Sequence, residues 1–237
     1  QIWGTLFTSF LALLLAVPVG IGIAIFLNED FLPGQIKTPI VFLIELLAAI
    51  PSVVYGLWGI FVLIPFLLPL GQWLHDNLGW IPFFSTPPSG PGVYVAGLIL
   101  AIMILPIIAA ISRDSLAAVP LSLRQGAYGL GATRWETIFR VLLPTAFSGI
   151  VGGIMLGLGR AMGETMAVTM VIGNSNVASP SILAQGATIA SLLANQFNEA
   201  SGLQISSLLY AALILFFLTL IVNILAEIIV RRVRMKV

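Results

Sequence analysis

The chain has 237 residues, of which 59% are hydrophobic and only 8% are charged, and its mean hydropathy is +1.10. A soluble core of this size would need a far more polar exterior, so the composition predicts a membrane protein. The chain has no cysteine, which excludes disulfide bonds and thiolate chemistry. The formal charge of +1 is uninformative as a sum, and no nucleic acid is expected as a partner.

Five apolar segments are long enough to cross a bilayer, since about 20 residues span ~30 Å of hydrocarbon. They are Gly4 to Leu27, Pro39 to Leu70, Gly92 to Ser112, Phe147 to Ile172 and Ile205 to Val230. The sequence therefore predicts an all-α polytopic membrane protein. Because no repeat or low-complexity linker divides the chain, residues 1–237 are interpreted as one domain.

The start of the chain carries no basic flank before its first apolar segment, so no signal peptide is evident. The first residue, Gln1, is not Met, which suggests a truncated or processed start.

The second apolar segment is too long for one straight span and contains Pro51, Pro65 and Pro69. Proline removes a helical hydrogen bond, so we expect a kink near Ile50 and Pro51. Glu45 falls inside this segment, where it could snorkel or pair, and a structural role is the default.

Two long loops lack basic residues. The loop Gly71 to Pro91 is rich in aromatic residues and proline, which favours headgroup contact, although a docked partner is the alternative. Its single His75 has only Asp76 beside it, so no metal site is expected. The other loop, Gly173 to Gln204, is uncharged, and Ser181 to Asn198 is predicted to form a short helix.

Apart from Arg160, which lies inside the fourth predicted span, the basic residues lie in the remaining loops and at the C-terminus. They are Lys37, then Arg113, Arg124, Arg134 and Arg140, and finally Arg231, Arg232, Arg234 and Lys236. By the positive-inside rule these segments are cytosolic, with the last group as a topological anchor. An odd number of spans then places Gln1 outside and Val237 inside.

The segment between the third and fourth predicted spans carries a motif. Ala127, Gly131, Leu143 and Pro144 match the spacing of a motif that reads Glu-Ala-Ala, three residues, Gly, nine residues, Ile, one residue, Leu-Pro. Gln125, Gly126 and Val141 depart from it. This segment, residues 113–146, resembles the EAA coupling loop of the permeases of type I ABC importers.

Two further stretches narrow the resemblance. Gly129 to Thr137, which includes Ala132, Thr133 and Arg134, and Arg160 to Val168 are similar to the phosphate-specific permeases of the PstC-like kind. The stretch Leu47 to Gly56, with Ser52 inside it, is also in the style of this family. The resemblance implies that Arg160, Glu164, Thr165 and Ser52 border the translocation pathway.

The resemblance also implies partners. These are a second, PstA-like permease subunit, a cytosolic ABC ATPase dimer that binds ATP and Mg, and a periplasmic or extracellular phosphate-binding protein, all at the cell inner membrane. The chain has no Walker A sequence, so it is not expected to be an ATPase, and it binds no cofactor of its own. The family usually has another membrane helix upstream, which this sequence lacks.

Arg160 and Glu164 are four residues apart, so on a helix they share a face and could pair. If the helix starts at Phe147, Arg160 lies about 20 Å along a span of about 39 Å, close to the bilayer midplane. Such charges normally face a cavity or a partner. A structural pair and an anion-pathway arginine held by Glu164 are both open.

Glycines recur every four residues on the same predicted span, at Gly149, Gly153 and Gly157 and again at Gly159 and Gly163. Small residues at this spacing permit close approach of another helix.

Two other classes of function compete. A membrane-embedded protease would need Ser with His, or paired aspartates, within the spans, and neither is present. A passive channel or scaffold is compatible with the composition but leaves the arginine-bearing loop unexplained. The residues do not distinguish phosphate from sulfate or molybdate.

Overall fold

The computed structural model describes residues 1–29, 31 and 33–234, with side chains as far as residue 228. Asp30, Lys236, Val237 and the side chains of the basic anchor beginning at Arg231 lie outside the described part, so the predicted anchor stays a prediction.

Within the described residues the chain forms eleven α-helices. They are α1 Ile2–Asn28, α2 Gly34–Ala49, α3 Ser52–Trp58, α4 Ile64–Leu78, α5 Val93–Ala117, α6 Leu121–Gly129, α7 Arg134–Thr137, α8 Leu143–Gly163, α9 Met166–Val171, α10 Ile189–Gln196 and α11 Leu203–Arg234. Two π-helical segments join neighbouring helices without a break, Gly59–Leu63 between α3 and α4 and Ile138–Leu142 between α7 and α8.

Five helical stretches are long and apolar enough to cross a membrane, which confirms the predicted number of spans. They are Ile2–Asn28, Ser52–Leu78, Val93–Ala117, Arg134–Gly163 and Leu203–Ile228. The described residues contain no strand, only one isolated bridge between Gly173 and Gly186, so the all-α prediction is also confirmed.

The predicted second span, Pro39 to Leu70, is wrong in its bounds. Ile50 is extended, with φ −65° and ψ 128°, because a residue before proline avoids the α conformation. The chain therefore ends α2 at Ala49 and restarts at Ser52, and the span runs from there to Leu78. Glu45 consequently lies on α2, outside the five spans.

The predicted fourth span, Phe147 to Ile172, is displaced. The helical stretch begins at Arg134 and ends at Gly163, and Glu164 adopts an extended conformation with ψ 124°. The apolar residues that follow form the separate short helix α9. Arg160 is thus about 39 Å along a stretch of about 44 Å, in its last turn.

The centre of the bundle is α5, which packs against α1 along one side and against α8 along another. Its fully buried side chains include Ile99, Ile104 and Ile108. An added Cβ at Gly153 or Gly157 of α8 would lie 3.1 Å from a side-chain atom of Ile111 or Ile108, so these glycines let α8 approach closely, as predicted. Gly159 and Gly163 face open space.

The bundle has two different ends. One, the loop end, brings α1's first residues against residues 173–189: Gln1 Nε2 donates to Asn176 Oδ1 at 2.9 Å, and Ile189 N–H donates to Thr5 Oγ1 at 3.0 Å. The other, the hairpin end, holds α6 and α7 beside the end of α1. At the loop end the predicted helix Ser181 to Asn198 is helical only over α10 and the 3₁₀ turn Phe197–Glu199.

Candidate functional site

The segment from α6 to α7 is a helical hairpin with a defined turn, as the motif predicts. α6 ends in a Schellman motif: Gly131 N–H donates to Tyr128 O at 3.0 Å and Ala132 N–H donates to Ala127 O at 3.0 Å. This motif requires a left-handed residue just past the helix, and Gly131 supplies it with φ +82°.

The next helix starts with a capping box. The Thr133 hydroxyl accepts from Glu136 N–H at 3.3 Å, while the Glu136 carboxylate accepts from Thr133 N–H at 2.8 Å. The backbone groups at both helix ends therefore have hydrogen-bond partners within residues 127–136. These hydrogen bonds fix the conformation of the turn between α6 and α7, here termed the fixed elbow.

The exposed surface of the hairpin includes large apolar side chains. Leu130, at the turn, is 91% exposed, and Leu121 and Leu123 are also exposed. Among the sequence-predicted coupling residues, Gln125, Gly126 and Gly131 are exposed, and Ala127 and Ala132 are half-buried.

Leu143 and Pro144, the last residues of the motif, lie elsewhere. They lie at the start of α8, directly after the π-helical segment Ile138–Leu142 that continues into this helix. The motif therefore includes the turn between α6 and α7 and extends into the start of α8.

The inner surface of the hairpin holds a charge cluster that the sequence did not predict. Glu29, one residue past α1, is 3% exposed, and its carboxylate oxygens lie 2.9 and 3.2 Å from two nitrogens of Arg124. Arg134 Nε lies 3.8 Å from the same carboxylate, and its Cζ is 3.9 Å from the centre of the Phe31 ring. Arg134, which belongs to the predicted coupling loop, is therefore held against the end of α1. The available signal was a carboxylate directly after the first span, facing the arginine-rich segment.

Arg160, the predicted pathway residue, occupies the last turn of α8 and is half-buried. Its Nε atom is buried and has no hydrogen-bond partner among the described residues. A buried donor without an acceptor costs about 1–3 kcal/mol, so this nitrogen is an unsatisfied donor within the described part of the chain.

The predicted pairing of Arg160 with Glu164 is wrong. No carboxylate in the described part of the chain lies within ion-pair distance of Arg160, because Glu164 has left the helix and no longer shares its face. The Glu164 carboxylate instead accepts from Ala167 N–H at 3.3 Å, at the start of α9. Negative charge is favourable there because the N–H groups of a helix start are unpaired.

Ser52 and Thr165, the other predicted pathway residues, begin neighbouring helices. Ser52 is the first residue of α3, and Thr165 directly precedes α9. A Cβ on Gly56 would lie 3.3 Å from Ala167 Cα, and a Cβ on Gly59 would contact Val171. Because both contact positions advance along the chain together, the two helices run parallel. Both helix starts therefore point the same way.

The two hydroxyls differ in their partners. That of Thr165 donates to Gly163 O at 3.2 Å, whereas that of Ser52 makes no hydrogen bond to the described residues.

The two weaker candidates, His75 and Glu45, have neighbours that indicate a structural role. His75 Nδ1 lies 2.9 Å from Phe84 O, and no cluster of potential metal ligands occurs among the described residues. Glu45 is 3.9 Å from Arg113, which also binds Asp114 at 3.0 Å at the end of α5.

A bundle of five apolar helices, with a capped helical hairpin at one end that matches a permease motif, is compatible with a membrane transport protein. The chain belongs to the family of binding-protein-dependent transport system inner membrane components, whose model matches residues 16–235.

Relatives in this family are highly similar over almost the whole chain. The phosphate transport system permease protein PstC of Pasteurella multocida is 50% identical over 98% of this chain and 74% of its own length. Its counterpart in Haemophilus influenzae is 50% identical over 98% of this chain and 75% of its own length. The probable counterpart in Methanocaldococcus jannaschii is 41% identical over 94% of this chain and 71% of its own length.

Solved structures share the fold. A chain of the MetNI methionine ABC transporter, in inward-facing conformations, matches 98% of this chain and 93% of its own with a TM-score of 0.70 at 16% identity. A chain of an amino acid ABC transporter matches with a TM-score of 0.58 at 21% identity, covering 96% of this chain and 90% of its own. The transmembrane fold of type I importers is therefore the fold of this chain.

Proposed function

We propose that this chain is the PstC-like permease subunit of an ATP-driven phosphate importer, in which it forms half of the translocation pathway. It hydrolyses no ATP itself. ATP and Mg are bound by a separate cytosolic ATPase dimer, and a periplasmic or extracellular phosphate-binding protein delivers the anion. A second, PstA-like permease subunit supplies the other half of the pathway.

One observation carries the anion-pathway role: the buried, unpartnered Nε of Arg160. A guanidinium that lacks a carboxylate partner can offer paired donors to an oxyanion, and phosphate oxygens fit this fork. Ser52 and Thr165 stand at two helix starts that point in the same direction, where N–H groups and hydroxyls favour an anion. The name of the relatives at 50% identity selects phosphate among the oxyanions.

Coupling to the ATPase is assigned to the hairpin. Leu130, Leu121 and Leu123 present apolar area that water would otherwise cover, and a partner would bury it. A fixed elbow suits this role, because a flexible turn would absorb the ATPase's movement instead of passing it on.

The orientation follows from the basic residues. Arg113, Arg124, Arg134 and Arg140 lie at the hairpin end or close to it, and by the positive-inside rule they support a cytosolic location for this end and the C-terminus, with the loop end outside. The exposed apolar faces of α11 and α2 are then covered by lipid or by the second permease subunit.

The test is reconstitution of the chain with the second permease subunit and the ATPase in liposomes. Phosphate, presented with its binding protein, is expected to stimulate ATP hydrolysis and to enter the vesicles, whereas Arg160→Gln abolishes entry in an intact complex. Uptake of sulfate or molybdate in place of phosphate would assign another oxyanion. Anion leakage without ATP, or no ATPase in the purified complex, would favour the channel or scaffold interpretation.

A further inference from the structure

The buried cluster at the hairpin end holds the hairpin onto α1 through charge and not only through apolar contact. Glu29 is bound by Arg124 through two separate nitrogen atoms and approached by Arg134, and Asn28 Nδ2 donates to the same carboxylate at 3.2 Å. One carboxylate therefore contacts both helices of the hairpin, Arg124 from α6 and Arg134 from α7.

We propose that Glu29 is a positioning residue that fixes the hairpin on the end of α1, so that a displacement of the hairpin by the ATPase moves α1 with it. This inference rests on the proposed coupling function and assigns the contact through which the hairpin acts on the bundle.

Burial of the carboxylate supports a specific role. A buried ion pair stabilises a fold no better than apolar side chains of similar volume, because removing two charges from water offsets their attraction. What such a pair provides is a single geometry, since its donors and acceptors meet in one arrangement. Glu29 is almost fully buried, whereas Glu45, on the neighbouring helix α2, is mostly exposed and lies 3.9 Å from its arginine.

Aromatic rings extend the same contact along both elements. The Phe31 ring lies 5.9 Å from that of Phe26 on α1 and 5.9 Å from that of Trp135 on α7, and Trp135 lies 6.0 Å from Phe139. Arg134 covers the Phe31 ring at cation–π distance. The hairpin therefore cannot shift along α1 without breaking the ion pairs and this row of rings together.

The far end of α1 is attached as well. Trp3 Nε1 donates to Ser179 O at 3.0 Å, and Ile189 N–H donates to the buried Thr5 hydroxyl at 3.0 Å. In the same segment Gly186 N–H donates to Ile172 O at 3.0 Å, next to α9. Thus α1, about 40 Å long, connects the hairpin with the segment that follows α9.

The experiment compares Glu29→Gln, Arg124→Gln and the double neutral variant in the reconstituted complex, measuring phosphate transported per ATP hydrolysed for each assembled complex. Glu29→Gln removes the carboxylate that Arg124 and Arg134 share, and Arg124→Gln leaves the buried carboxylate with only the longer contact to Arg134. Each single change therefore lowers the yield of complex, and the double change restores the yield. We expect transport per ATP to fall about tenfold in all three variants, within the range usual for coupling between sites. Glu45→Gln is the matched control, and it keeps the wild-type ratio.

A double variant that regains the wild-type ratio would overturn the proposal, because the cluster would then serve folding alone. Arg124→Lys provides a milder change that retains the charge and loses the two-pronged geometry, and we expect an intermediate ratio. The proposal is also contradicted if the two single variants Arg124→Lys and Glu29→Gln both keep the wild-type ratio of phosphate transported per ATP hydrolysed. If the wild-type complex itself shows no phosphate-stimulated ATPase, the proposed function fails, which is a distinct result.

Discussion

Replacement of Gly131 by leucine tests the fixed elbow directly. Gly131 has φ +82°, and an L-residue in this left-handed region costs roughly 1–2 kcal/mol. An added Cβ there meets no atom within 4 Å, so the cost is purely one of backbone conformation. That strain lowers the population of the observed turn by about 5- to 30-fold relative to competing turns.

The expected result of Gly131→Leu is uncoupling. The hairpin lies outside the packed core, so insertion of the chain and binding of the ATPase are retained while phosphate uptake per ATP falls several-fold. Uptake in reconstituted vesicles and ATP hydrolysis by the same preparation measure the two quantities. Normal uptake with the ATPase still bound would refute the reasoning.

Two matched variants separate conformation from size. Asparagine tolerates the left-handed region, so Gly131→Asn is expected to retain most of the coupling. Gly129 lies in α6 at an ordinary helical position with open space around it, so Gly129→Ala should leave coupling intact. Equal uncoupling in all three variants would point to surface contact and not to the turn.

Three other predictions address the surface, the pathway and the topology. Burial of Leu130 against the ATPase is worth about 2 kcal/mol, so Leu130→Asp should weaken ATPase association by at least thirtyfold in a pull-down titration, and unchanged association would remove the hairpin tip from the interface. Arg160→Lys should impair phosphate uptake, because an ammonium lacks the paired donors of a guanidinium. Arg160→Gln should impair uptake more than Glu164→Gln, because the glutamine of the latter variant would still offer an acceptor to Ala167 N–H. Full uptake in a well-folded variant that lacks both charges would eliminate the pathway role. Ser175→Cys should be labelled only from outside the cell, and labelling only from the cytosolic side would reverse the topology.

The sequence predicts what depends on continuous local patterns. Five apolar stretches specify five spans, and the spacing of Ala127 and Gly131 specifies a turn because that spacing contains the Schellman motif itself. The break at Glu164 was missed, since the residues after it are as apolar as those before it and hydropathy does not record backbone angles. The contact of Glu29 with Arg124 joins positions 95 residues apart and depends on tertiary packing, which no local pattern encodes.

The role of Arg134 shows the same limit. Its place in the motif indicates a coupling function, but the motif does not determine which way the side chain points. In the folded chain it points towards Phe31 and Glu29, since the capping box at Thr133 sets the first turn of α7 and the ring of Phe31 covers the guanidinium.

The two π-helical segments set the rotational phase of the helices that follow them. In Ile138–Leu142 the hydrogen bond from Leu143 N–H reaches back to Ile138 O, so one extra residue is accommodated, which turns the helix face by about 100° relative to an uninterrupted α-helix. This offset lets Trp135 and Phe139 face α1 while Gly153 and Gly157 face α5 on the same continuous rod. The number of residues between Trp135 and Gly153 is consequently fixed, whereas the surface loops can vary in length. Loss of a single residue in this stretch would rotate Gly153 and Gly157 away from α5 and bring larger side chains into the close helix contact, where they would clash.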